Sequence, residues 1–318
     1  MPYTGRGATR LTALMLSVVF VLAGGIIGAG SPATAATPAP GALANPTHNI
    51  SPPPLLDSTG NCTGQEIDGV VAGCESPCYP SYRIQPGNYV IYPLADTPAC
   101  TDLAIAAINA AHVAEHIRPI VLPKNYYDLN VSEQLFVLTN LERITRGIPP
   151  LVGLVHYLDD VATVGARQGS DPFVTNYIWN SGYDAWRSGP IVAANSFDTY
   201  TSVWAGGSPT PAAAMFAWMY DDGWGGSVKN TWNFDCTSAH AADCWGHRAN
   251  ILGDFLAPQC LTCVAGTGYA SSSSPNAWAT SYAMIFMDAV NSPAMSFTWN
   301  TDVLPELPAA YERVPAAA

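Results

Sequence analysis

The sequence predicts an α+β fold, on three observations. Apolar residues recur at helical spacing between residues 101 and 220. After residue 264 the spacing shortens to the two-residue period of strands. Helices first and strands later are the order of an α+β domain. Eight cysteines, at 62, 74, 78, 100, 236, 244, 260 and 263, follow an apolar N-terminal run and add a disulfide framework.

The elements follow in order. Arg6 and Arg10 precede an apolar stretch, residues 11–30, and Ser31-Pro32-Ala33-Thr34-Ala35 closes it with small residues. Residues 1–35 therefore read as a signal peptide cleaved before Ala36. The alternative is an uncleaved anchor, since about 20 apolar residues span a bilayer; the glycines at 24, 25, 28 and 30 favour cleavage. Residues 36–60, rich in Pro, Ala and Ser, read as a flexible leader. Residues 61–128 form a cysteine-containing extension with one strand-like run at 89–92 and a helix over 101–118, capped by Thr101. A second helix covers 132–146, with Ser132 as cap and Leu135, Leu138, Leu141 and Ile144 on one stripe; Gly147 and Pro149-Pro150 stop it. A third helix spans 158–168, ending near Gly169, and a fourth spans 211–220 behind Pro211. Strands are expected at 264–270 and 278–287, the latter with Trp278, Tyr282, Met284 and Phe286 on one side. Residues 301–318, rich in Pro and Ala toward the end, read as a mobile tail.

Of the 12 Lys and Arg, two lie before residue 36, which leaves 10 against 24 acids. Such a chain repels nucleic acid, and no basic run interrupts it. A membrane is expected to matter only through the signal segment before cleavage. The cysteines fall into two groups of four. Short spacing suggests Cys236–Cys244 and Cys260–Cys263, while Cys62, Cys74, Cys78 and Cys100 stay unassigned among themselves. The triplets at Asn49, Asn61 and Asn130 match the N-glycosylation pattern.

Residues 218–252 carry the chemistry. An apolar helix ends in Asp221-Asp222; a Gly-rich turn and a cysteine-closed loop then deliver Gly246-His247-Arg248-Ala249-Asn250-Ile251-Leu252. Carboxylates at a helix C-terminus face its negative end, which calls for a cation or an imidazole nearby. Trp224 and Trp245, flanked by glycine, suit the wall of a groove for a sugar or lipid. The bland alternatives are a His247 that only braces its loop, acids on a solvated face, and tryptophans that fill a core, the expectation for most of the aromatics Trp179, Tyr183, Trp186, Trp204, Trp218 and Trp232.

Several stretches together resemble the CAP superfamily of cysteine-rich secretory proteins, antigen 5 and pathogenesis-related 1 proteins. Asn140 and Arg143, followed by Gly147 and Pro150-Leu151, resemble the N-x-x-R opening helix. Ala217-Trp218-Met219-Tyr220-Asp221 resembles the W-x-x-E helix, and GHRANIL at 246–252 the G-H motif. The resemblance covers about residues 129–289 and implies a three-layer α-β-α sandwich within 129–300. In that family two His and two Glu often line a cleft able to hold a divalent metal. Carried over, His247 is retained, Asp221 takes the helix Glu position, Ser202 in TSVWAGG takes the other Glu position and Asp171 lies near the first His. No glutamate occurs between Glu142 and Glu306, so a divalent metal is expected to bind weakly or not at all.

The reduced residue set favours binding, because acid–base chemistry usually needs two tuned groups, so the expectation is an exported, extracellular or cell-surface protein that binds a small apolar, lipid or glycan ligand around His247, Asp221, Ser202, Asp171, Trp245 and Trp224. A hydrolase of peptide or cell-wall material, using His247 and Asp221, is the alternative. Two competing patterns carry less weight. His112-x-x-Glu115-His116 matches an inverted zinc-protease motif, but the glutamate gap removes its usual downstream ligand. His240, Cys244 and His247 have ligand spacing, but a cysteine oxidised to a disulfide cannot ligate zinc.

Overall fold

A computed structural model describes residues 45–46, 49–50, 66–67, 70–72, 78, 81–85, 89–91, 97–174, 200–225, 233, 236–238, 241–253, 263–272, 278–288, 293–309 and 311. The expected signal peptide, Asn61, Cys62, Cys74, His240, Cys260 and the aromatics Trp179, Tyr183, Trp186 and Trp232 lie outside the described residues.

Four short strands open the described chain: β1 (Glu66–Ile67), β2 (Val70–Ala72), β3 (Ser81–Gln85) and β4 (Tyr89–Ile91) form an antiparallel sheet in that order. The extension thus holds a sheet where one strand-like run is expected. Cys78 is bonded to Cys100 in helix α1 (Pro98–Ala114), which assigns two of the four N-terminal cysteines. Helix α1 begins three residues before the expected start. Thr97 caps it by accepting from the Cys100 N–H, and Pro98 sits in the first turn where its missing N–H costs nothing. It stops at Ala114, and His116 takes a positive φ of 57°.

Helix α2 (Val131–Thr145) is capped by Asn130 rather than Ser132, in a full capping box with Glu133. Every residue from Gln134 to Ile144 is buried, so α2 is a core helix and not the one-striped helix the spacing suggests. Helix α3 (His156–Gln168) ends at Gly169 in the left-handed conformation, as expected. Helix α4 (Pro211–Tyr220) has the expected bounds; Thr210 caps it and all ten residues are buried. Helix α5 (Gly246–Leu252) is the GHRANIL segment.

The larger sheet is mixed. Strands β5 (Gly153–Leu154), β6 (Tyr200–Gly206), β7 (Cys263–Ser271), β8 (Thr280–Asp288) and β9 (Phe297–Thr298) lie in the order β6-β8-β7-β5-β9. Only β5 and β7 are parallel. Successive residues of β8 enter different apolar clusters. Tyr282, Met284 and Phe286 join residues of α1, α2 and α4, whereas Ile285 and Met287 join Leu158, Val161 and Ala162 of α3. Both faces are therefore buried. Gly266 and Gly268 make the second contact possible, since a Cβ on either would stand 2.0–2.2 Å from α3 backbone atoms. Trp278 precedes β8 instead of belonging to its apolar face.

Two expected loose segments are anchored in part. Trp299, Val303, Leu307 and Tyr311 are buried, and the Tyr311 hydroxyl donates to Pro119 O while accepting from the Val121 N–H. The expected tail is thus anchored at Val303, Leu307 and Tyr311, because aromatic and aliphatic residues punctuate its Pro- and Ala-rich sequence. In the leader, the Ile50 N–H donates to Tyr220 O and Asn49 Oδ1 accepts from Gly223 N–H. No described helix is long and apolar enough to cross a membrane.

Candidate functional site

The site is built at the junction of α4 and α5. Helix α4 ends at Tyr220, and the Asp221 N–H still bonds back to Ala217 O. The chain then turns, and Asp222 is directed at the start of α5. Its Oδ2 accepts from the backbone N–H of His247 at 2.9 Å and of Arg248 at 3.4 Å. Its Oδ1 accepts from His247 Nδ1 at 2.6 Å and from Asn233 Nδ2 at 2.8 Å. Trp245, the residue at the N-cap position, offers no capping side chain. A carboxylate 23 positions earlier supplies the cap, where the unpaired N–H groups and the positive helix end favour a negative charge.

Local geometry holds this arrangement. Trp245 adopts a left-handed φ of 66° and donates its N–H to Asp222 O at 2.9 Å. Its indole lies against Gly223, where a Cβ would come within 2.1 Å of the ring. The Cys236–Cys244 disulfide, as the spacing predicts, closes the loop into α5. Cys263 is also disulfide-bonded, and its expected partner lies outside the described residues.

His247 is the centre. Its side chain is 22 % exposed, and Nε2 stands 3.6 Å from Asp171 Oδ1, on an exposed side chain just beyond α3. Burial opposes charge on the ring, but the adjacent Asp171 and Asp222 carboxylates, the latter hydrogen-bonded to it, prevail and lift the imidazole to about 10. Burial raises the Asp222 carboxyl, and its N–H donors pull it back. The two carboxylates thus favour the imidazolium form of His247.

The expected partner was Asp221; the structure gives Asp222. Asp221 completes the last turn of α4 and is buried there, so it is the next residue whose side chain reaches α5. Asp171 does meet His247. Ser202 contributes a backbone carbonyl, which accepts from Asn250 Nδ2 at 2.7 Å and ties α5 to β6. Trp245 is a buried brace, and Trp224 is 39 % exposed. Among the described residues no group of three or more His, Cys, Asp and Glu is placed to hold a metal ion.

Beneath α5 lies a charge network that the sequence reading missed. Glu115 accepts from Arg248 Nη1 at 2.9 Å and from Arg146 Nη2 at 2.7 Å. Glu142 accepts from His112 Nε2 at 3.0 Å, from the Tyr220 hydroxyl at 2.9 Å and from Arg146 Nη1. His112 Nδ1 meets Arg118 O at 2.6 Å. Burial raises the Glu142 carboxyl, yet the His112 and Arg146 charges bring it down to about 2. His112 is thus a sealed partner of Glu142, and His116 has left the helix, so the two histidines of the H-x-x-E-H pattern do not share a helical face. The available signal was scarcity: charged residues are 11 % of the chain, and Glu142 with Arg146 stands at i,i+4 on an apolar helix.

No family model, curated protein or solved structure matches this chain.

Proposed function

We propose that this is an exported CAP-like protein: a three-layer α-β-α sandwich that binds a small apolar or glycan ligand beside His247 and does not hydrolyse it. Disulfides support export, because they persist in oxidising compartments. The Asn140/Arg143 pair supports the family reading. Asn140 holds Leu151 through both its amide groups, while Arg143 donates to Pro149 O and to Ile251 O at the end of α5. The quoted motifs thus meet in one structural unit.

Binding is favoured over hydrolysis by one observation, the enclosure of His247 between Asp222 and Asp171. An imidazolium has no lone pair with which to take a proton or ligate a metal. It offers an N–H and a positive charge, which orient a ligand. NMR titration of the His247 ring, with zinc calorimetry at neutral pH, tests this. The ring should stay protonated past pH 8 and zinc should bind weakly. A ring that titrates near 6.5, or tight stoichiometric zinc binding lost in His247→Ala, would overturn the proposal.

The hydrolase remains the second reading, with Asp222 in place of Asp221. The long 3.6 Å contact of Nε2 to an exposed Asp171 favours it, since that nitrogen is open to a substrate once deprotonated.

A further inference from the structure

The segment that supplies Asp171 also supports an aromatic surface. Trp278 lies across glycine backbone: a Cβ on Gly206 would stand 2.5 Å from its ring, and one on Gly169 3.3 Å from it. Trp204 meets it edge-on, with ring centroids 5.7 Å apart, and the Trp204 indole N–H donates to Ser281 Oγ at 2.7 Å. Trp278 is nevertheless 42 % exposed. Tyr200 shares a strand face with Trp204, about 13 Å away at the usual rise per residue. Its ring pairs with Phe173, centroids 6.0 Å apart, and Phe173 is 45 % exposed. Asp171, 54 % exposed at its side chain, comes between Gly169 and Phe173 in the chain.

Two large rings are thus exposed beside the segment that carries Asp171, Phe173 two residues after it and Trp278 across Gly169, two residues before it. Their chemistry fits a neutral sugar. A pyranose has a face of C–H bonds, which stacks on the negative face of an aromatic ring, and a rim of hydroxyls, which donate to a carboxylate. A ring already fixed on its underside loses little freedom on binding. A formal net charge of −12 disfavours acidic glycans and anionic bilayers. The separation of the two aromatic pairs suits several linked sugar units rather than one.

We propose that Trp278 and Phe173 form stacking subsites for a neutral oligosaccharide, with Asp171 accepting from its hydroxyls. The proposal deepens the binding reading and rests on it.

Calorimetry and tryptophan fluorescence of the protein with chitotetraose and cellotetraose test it. At least one sugar should bind saturably. Trp278→Ala should weaken that binding by about tenfold and Phe173→Ala by less, while Trp278→Phe retains most of it. If Trp278→Ala does not fold, the more exposed Phe173→Ala decides by the same comparison. Absence of saturable binding to either sugar overturns the proposal, as does binding to neutral phosphatidylcholine vesicles alone. A sugar affinity that falls in His247→Ala but is unaltered in Trp278→Ala and Phe173→Ala overturns these subsites and leaves the binding reading at His247 standing.

Discussion

His112 and His247 each meet a carboxylate, Glu142 at 3.0 Å and Asp222 at 2.6 Å, yet the two pairs are built for different ends. His112 and Glu142 are fully buried. Each acceptor on Glu142 is taken by a ring, a guanidinium or a phenol, and the other His112 nitrogen is spent on Arg118 O. His247 is paired on one side with a sealed carboxylate and on the other with an exposed one, so part of its ring faces solvent. The same two functional groups make a structural joint where every valence is closed, and a candidate site where one is left open.

Breaking the sealed pair should have the largest effect. Glu142→Ala removes the carboxylate that buried His112 and Arg146 share, and breaking a buried pair typically costs about 3–5 kcal/mol. Chemical denaturation measures it, and a loss below about 1 kcal/mol would mean that the network is dispensable. The folded-state value of Glu142 is depressed to about 2. Its contribution is therefore complete above the usual carboxylate range and is lost as pH falls through about 2. The acid limb of the stability curve should flatten in the variant.

Asp222→Asn should cost less and reveal more. The caps on α5 weaken, by about 1–2 kcal/mol, and the His247 ring should fall from about 10 toward 6.5. A raised folded-state value means stability that is complete below 6.5 and lost as pH climbs through about 10. Thermal melts at pH 6 and 9 should differ less in the variant than in the parent. A His247 ring unmoved by this change would show that Asp222 only caps the helix.

Sequence alone carried the helices and strands with strong local signals. Helix α4 reads from Pro211 to Tyr220 without error, and Gly169 ends α3 where the pattern says. Helix α1 was misplaced because Thr101 and Thr97 are both plausible caps, and the Thr97-Pro98 pair was the better signal. His247 was legible as a site residue from its loop and motif. Asp222 was not, since choosing between two adjacent acids requires knowing where α4 stops and which way the next residue turns. The Glu115, Arg146, Arg248 and Tyr220 network joins four helices, and contacts of that range leave no local pattern. The packing of Trp278 against Trp204, 74 positions away, is hidden for the same reason.

The smallest change tests the open side of the comparison. Asp171→Asn removes a charge that is 54 % exposed and 3.6 Å from His247 Nε2, so stability should shift by no more than about 0.5 kcal/mol. The His247 ring should still respond, because Asp171 is one of the two carboxylates that raise it. Its titration should drop, but by less than in Asp222→Asn, where the shorter and buried contact is lost. The drop should also shrink in high salt, which screens an exposed charge far more than a buried one. NMR titrations of both variants at low and high salt compare the two sides directly. If Asp171→Asn leaves the ring where it was, the outer carboxylate is no part of the site and His247 is simply braced by Asp222. If it moves the ring as far as Asp222→Asn does, the outer contact is as strong as the buried one, and the contrast with the sealed His112–Glu142 pair disappears.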